Sequence, residues 1–215
     1  MKESAVVLGG GGHARVVVDI LEQAGEVEIV GFTNAASGQA DLCGYRYLGT
    51  DESLGELYRS GVRRAFVAVG DNARRKKCLD ALAAGGFQVI NAISPHAVIS
   101  PRASLGSGIA VMPGAVINAG AQIGDGAIVN TNASIDHDCM IGCCVHVAPG
   151  VVIAGGVRVG EGAFLGAGAC VIPEISIGCW ATIGAGAVVV RDVKDRVVAV
   201  GVPATTLRPQ RRGTA

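Results

Sequence analysis

The chain has 215 residues, enough for one or two domains. Its 18 Lys and Arg balance 18 Asp and Glu, which argues against a general electrostatic grip on nucleic acid or on an anionic membrane. Half of the residues are hydrophobic, only 4% are aromatic and 33 are Gly. That composition implies a Val, Ile and Ala core with many glycine corners, while the 7 prolines and the lack of a three-residue glycine period exclude collagen.

The N-terminal MKESAVVLGG has no long apolar stretch, so no secretory signal is expected. Ala5 to Leu8 is a short apolar run that stops at Gly9 to Gly12 and reads as a buried strand entering a turn. A helix is expected over 13–24, with Val16, Val17, Ile20, Leu21 and Ala24 on one face. Val27 to Phe32 reads as a second strand. Asp51 opens a short helix that runs to Tyr58. Arg64 to Val69 is a third strand, and Asp71 caps a helix from Asn72 to Ala84. Phe87 to Ile90 closes the series as a last short strand. Strand and helix alternate, which implies a small, Rossmann-like parallel sheet of the α/β class over residues 1–92.

Gly9-x-Gly11-x-x-Ala14 follows a strand, as in a dinucleotide fingerprint, but the acid expected at the end of the second strand is missing: Thr33 and Asn34 stand there. NAD binding is therefore disfavoured. An anion at the start of the first helix is still favoured, because free N–H groups meet the positive end of the helix dipole there. A nucleotide diphosphate fits, and so does a plain tight turn.

At residue 93 the pattern changes. Every sixth residue from Ile93 through Ile99, Leu105 and Val111 to Ile183 is aliphatic, sixteen positions without an insertion. The position four later is equally restricted, being Ala, Cys, Val or Ile, and Gly is frequent one position after the aliphatic residue. A period of six is the signature of a hexapeptide β-helix. Each hexad is one short strand and a corner, with its aliphatic side chain stacked inward and a small residue at the cramped turn. The hexads run over residues 93–190. A solenoid needs caps. The α/β domain would supply one and residues 191–215, including Asp192, Lys194 and Asp195, the other. Uncharged Ala103 to Gly124 is long enough to span a bilayer, but its Ser, Pro, Asn, Gln and Gly and its non-helical period argue against insertion. Seven cysteines without a CxxC pair read as small buried hydrophobes in a reducing compartment, so a cytoplasmic protein is expected.

Four histidines are present: His13, His96, His137 and His146. His137 is third in its hexad, after inward Ile135, so it projects outward between Asp136 and Asp138. A carboxylate beside an imidazole orients it and raises its basicity, as a general base for acyl transfer requires. The same residues also suit a solvated surface.

The stretches VVLGGGGHARVVVDIL, FVAVGDN, VNTNASIDHDCMIGCCVHVAPG and GVPA resemble the NeuD/PglD family of sugar acyltransferases, over nearly the whole chain. The resemblance implies a left-handed β-helix with three hexads to a triangular coil, about five coils in all. It also implies homotrimers with sites between subunits, and acetyl transfer from acetyl-CoA to the amine of a nucleotide-linked 4-amino-4,6-dideoxy sugar. Transfer to a sialic-acid hydroxyl is the alternative. It further implies that His137 is the base and Asp138 its partner. By the same resemblance His146, Gly155, Ala167 and Ala185 contact acetyl-CoA, and Gly201 to Ala204 line its adenine end. Gly11, Gly12 and His13 would meet the sugar nucleotide, with Thr33, Asn34 and Gly70 around base and ribose. Tail arginines Arg208, Arg211 and Arg212 could meet a CoA phosphate or simply fray. His96 reads as structural or as a surface residue. A zinc enzyme of the same fold needs three converging histidines, whereas only His137 and His146 are close in sequence, so no metal is expected. A non-catalytic binding module is the remaining alternative.

Overall fold

A computed structural model of the chain describes residues 2–35 and 42–209. Two compact units are present, Met1–Pro95 and His96–Ala215.

In the first unit the chain runs β1 (Glu3–Leu8), α1 (Gly12–Ala24), β2 (Val27–Thr33), a 3-10 turn (Asp51–Ser53), α2 (Leu54–Arg59), β3 (Arg64–Val67), α3 (Asn72–Ala84) and β4 (Gln88–Val89). All four strands are parallel, in the order β2-β1-β3-β4. Strands hold apolar runs because both sheet faces are covered by helices. Val6, Leu8, Ala65, Val67 and Val69 pack with Leu82 and Phe87 on one of these faces. Asp71 caps α3 as expected, its side chain accepting the Arg74 N–H at 2.7 Å. The expected single helix from Asp51 opens as a 3-10 turn instead. The stripe on α1 also differs by a residue: Ala14, Val17, Val18, Ile20 and Leu21 are buried, and Val16 is 41% exposed. In the run Val16-Val17-Val18 no polar residue marks the outer face, and packing selects the set spaced three and four apart.

The second unit is a left-handed parallel β-helix whose coils have three two-residue strands each. One wall stacks Ser104–Leu105, Gln122–Ile123, Met140–Ile141, Arg158–Val159 and Ser176–Ile177. A second stacks six strands from Val98–Ile99 through Ser134–Ile135 to Val188–Val189, so this wall exceeds the five coils expected. The third carries Ala110–Val111, Ile128–Val129, His146–Val147, Phe164–Leu165 and Thr182–Ile183. The inward residue of each pair stacks on its equivalent in the next coil; Ile117, Ile135, Ile153 and Val171 are all buried. Each such burial contributes roughly 1.5–3 kcal/mol.

Two corner positions explain the glycines. One position after the inward aliphatic residue, the backbone of the next coil leaves no room: a Cβ on Gly142 would lie 2.7 Å from the Glu161 nitrogen. Three positions after it the chain is left-handed, at every sixth residue from Gly108 to Gly186. Gly takes most of these positions, but Asn132, Asp138, Cys144, Glu174 and Trp180 take five. Beyond Val189, Asp192 and Asp195 accept the backbone N–H groups of Ser176 and Cys179, each at 2.8 Å. Val197–Val200 then adds to the third wall, and Thr205–Pro209 returns antiparallel to it.

Candidate active site

His137 and Asp138 sit at the corner between the Ser134–Ile135 and Met140–Ile141 strands. His137 Nδ1 is 2.9 Å from Asp138 Oδ2, and both side chains are well exposed, at 63% and 74%. The carboxylate takes the Nδ1–H, which leaves Nε2 as the nitrogen able to accept a proton. The hydrogen bond to Asp138, and then the charge of Asp136, hold the imidazole pKa above its ordinary 6.5. Asp136 has a different task. Its Oδ1 accepts the His137 backbone N–H at 2.7 Å and the Asn118 amide at 2.9 Å, and these bonds hold its carboxyl below the usual range. One carboxylate therefore orients the ring and the other braces the turn beneath it.

Gly155 lies one coil on from His137, at the same corner. A Cβ there would be 2.5 Å from His137 Nε2, so only glycine admits the ring in this position. Gly120, one coil the other way, likewise makes room for the Asp138 carboxylate. Cys139, next in sequence, is no nucleophile: burial pushes its thiol pKa up, and Sγ donates to the Ala154 carbonyl.

His146 projects from the third wall, which in a triangular coil is opposite the His137 corner. Its Nε2 lies 3.2 Å from the Asn130 amide nitrogen, and its ring meets Phe164 edge-on at 5.2 Å. Ala167 and Ala185 follow one another, a coil apart, at the corner joining the third wall to the second. A single chain therefore divides these residues between two sides of the prism, with His137, Asp138 and Gly155 on one and His146, Ala167 and Ala185 on the other. His96 is exposed and stands in neither group. A groove of about 820 Å³ runs along the first wall past Gln122, Met140 and Arg158, and neither histidine lines it. Gly201 to Ala204 form the turn between the last two strands. Arg211 and Arg212 lie outside the described residues, as does the side chain of Arg208.

In the first unit the four glycines divide by cause. A Cβ on Gly9 would strike the Ala68 carbonyl at 2.5 Å, and one on Gly10 would press on the Phe32 ring at 3.1 Å. Gly11, Gly12 and Gly70 meet nothing within 4 Å. Packing demands the first two, whereas the other three border open space where a ligand can approach the backbone. Gly11 is the N-cap of α1, and no side chain caps the helix there, so its first N–H groups face that space. Burial, and then the nearby Arg75 guanidinium, lower the pKa of His13 to about 4. His13 is thus neutral at physiological pH, and its buried Nε2 has no hydrogen-bond partner among the described residues. Arg75 is itself buried and bonds the Val69 and Gly70 carbonyls at 3.0 Å and the Asn72 side chain at 2.8 Å, which fixes the turn after β3. Asn34 reaches the glycine turn, with its amide nitrogen beside Gly10. Thr33 meets it through its backbone carbonyl, which accepts the Gly9 N–H, while its side chain is fully buried and its hydroxyl donates to Asp51 at 2.8 Å. Of the two residues expected around base and ribose, Asn34 is the one whose side chain borders the glycine turn.

Some of this was readable in advance. Asn118 and Gly155 each stand one eighteen-residue coil from a residue of the Asp136-His137 pair, a spacing that the hexad repeat already supplies. Arg75 and Asp51 carry no such periodic signal. Among the described residues no cluster of three His, Cys, Asp or Glu could hold a metal ion, and no helix is long and apolar enough to cross a membrane.

Comparison with known proteins bears on the family. Residues 4–82 match the model of the PglD N-terminal domain. A stretch of 113 residues is 38% identical to UDP-N-acetylbacillosamine N-acetyltransferase of Bacillus subtilis (strain 168), spanning about half (52%) of each chain. The perosamine N-acetyltransferase of Caulobacter crescentus, solved with CoA and GDP-perosamine, is 47% identical over 95% of this chain and 97% of that one, with a TM-score of 0.93. Two of its solved forms replace a histidine with Asn or Ala. The acetyltransferase domain of PglB from Neisseria gonorrhoeae FA1090, solved with acetyl coenzyme A, is 36% identical over 96% of this chain and 100% of that one, with a TM-score of 0.87. Fold and relatives together define a hexapeptide-repeat acyltransferase with an α/β domain ahead of its β-helix. Within that class, the chain belongs to the PglD/NeuD-type family of sugar acetyltransferases.

Proposed function

We propose that this chain is an acetyl-CoA-dependent N-acetyltransferase acting on the 4-amino group of a nucleotide-linked 4-amino-4,6-dideoxy sugar. The single observation that carries the chemistry is the exposed His137–Asp138 pair, with its free Nε2 beside Gly155. The sugar amine attacks the thioester carbonyl, and its nitrogen passes a proton to His137 Nε2. The tetrahedral intermediate then expels the CoA sulfur, which takes the proton back from the imidazolium. Asp138 stabilises the ring while it is charged. The amino-sugar complex of the Caulobacter enzyme and the acetyl-CoA complex of the Neisseria domain support both co-substrates.

The division of His137 and His146 between two sides of the prism supports a homotrimer. His146, Ala167 and Ala185 of one copy then face His137 and Gly155 of the next, and acetyl-CoA lies along that seam. Dependence on acetyl-CoA and a nucleotide-linked sugar supports reading this chemistry as cytoplasmic. The test is a thiol-release assay with acetyl-CoA and a panel of nucleotide-linked amino sugars. His137→Asn is expected to lower kcat by roughly 10²–10⁴ with little change in KM. Near-wild-type turnover would remove His137 from the mechanism.

A further inference from the structure

We propose that Asp51 binds the ribose hydroxyls of the nucleotide-linked substrate, and so makes the chain selective for ribonucleotide over 2′-deoxyribonucleotide sugars. The proposal rests on reading the first unit as a nucleotide-sugar site. Strand β2 ends without an acid, at Thr33 and Asn34. The fold returns one. Asp51 opens the 3-10 turn after β2, and its Oδ1 accepts the Thr33 hydroxyl at 2.8 Å. The Thr33 carbonyl in turn accepts the Gly9 N–H at 2.8 Å. Consecutive hydrogen bonds thus tie carboxylate, strand end and glycine turn together.

Position and chemistry agree. In open parallel sheets ligands bind beyond the carboxyl ends of the strands, and an acid at the end of the second strand takes ribose hydroxyls. Asp51 is half-buried, so it is reachable and yet partly shielded from water. The Thr33 hydroxyl occupies Oδ1 and so fixes the carboxylate plane, and Oδ2 is the oxygen assigned to the sugar. A carboxylate accepts hydrogen bonds and does not donate them, so it pairs with a vicinal diol and gains nothing from a 2′-deoxy position. A site built around a hydroxyl rejects the analogue that lacks it.

The experiment is calorimetric titration of the full chain with GDP, 2′-deoxy-GDP and IDP, for the wild type, Asp51→Ala and Asp51→Asn. Asp51→Asn keeps the acceptor for Thr33 and guards against misfolding of the alanine variant. The wild type is expected to bind GDP at least about tenfold more tightly than 2′-deoxy-GDP. The ratio should fall below about threefold in Asp51→Ala and lie between in Asp51→Asn, with the GDP-to-IDP ratio unchanged in both. An unchanged ribo-to-deoxy ratio in both variants would overturn the proposal. So would a collapse of the GDP-to-IDP ratio alone, which would mean that the carboxylate reads the base. Where only UDP binds, UDP and 2′-deoxy-UDP replace the guanine pair in the same comparison; a wild type that binds no nucleotide of either set would instead defeat the nucleotide-sugar reading itself.

Discussion

Asp138 holds a left-handed backbone, φ 58°, at a corner position that glycine fills in most other coils. A non-glycine residue there costs of order 1 kcal/mol, and such costs collect where function needs the side chain. Asp138→Gly therefore separates stability from activity. Thermal melting should show a variant at least as stable as the wild type. Its pH–rate profile should move: the base works only when neutral, Asp138 raises the His137 pKa, and so the acidic limb of kcat/KM lies above 6.5 in the wild type. Without the carboxylate the limb shifts to lower pH, and the rate on its plateau falls. A limb that stays in place would show that Asp138 does not act on the ring. The pair was legible in the sequence because its partners are neighbours in the chain. The distinct task of Asp136 was not, since two flanking carboxylates look alike until the backbone N–H and Asn118 are placed.

The turn from β1 into α1 makes a similar separation. Alanine favours a helix over glycine by about 1 kcal/mol, and Gly12 is the first residue of α1 with nothing within 4 Å of a Cβ. Gly12→Ala should raise the melting temperature and also raise KM for the nucleotide sugar several-fold, with kcat nearly unchanged. An unaltered KM would mean that no ligand approaches there. Gly9→Ala should instead destabilise the chain, because its Cβ meets the Ala68 carbonyl. The elements themselves were largely legible. The β-helix writes its period into every sixth residue, since each coil repeats the same inward, cramped and outward positions. The left-handed corner was missed because five unlike residues interrupt its glycines. Asp51 was missed because no period links it to Thr33, and only the folded loop brings the two together.

At the scale of the molecule, a seam between copies predicts complementation. Suppose that His137→Asn and His146→Ala chains, each impaired alone, are unfolded together and reassembled in equal amounts. Three-quarters of randomly mixed trimers contain both chains, and each of these regains one intact site in three, or about a quarter of wild-type activity overall. Light scattering should give three chains per particle. No recovery beyond the separate variants would place both histidines in a site made by one chain.

The ladder of the second unit has one more implication. Ser134 N–H bonds the Val151 carbonyl, and Val152 N–H bonds that of Ala169, so every wall is stitched to itself a whole revolution later. The prism behaves like a threaded rod. Adding or removing a full revolution changes its height and nothing else. Excising a single hexad between His137 and His146 would turn all that follows by a third of a circle, leaving every inward aliphatic residue inward while the two imidazoles point along the wrong bearings. Such a protein would fold, and it would be inert.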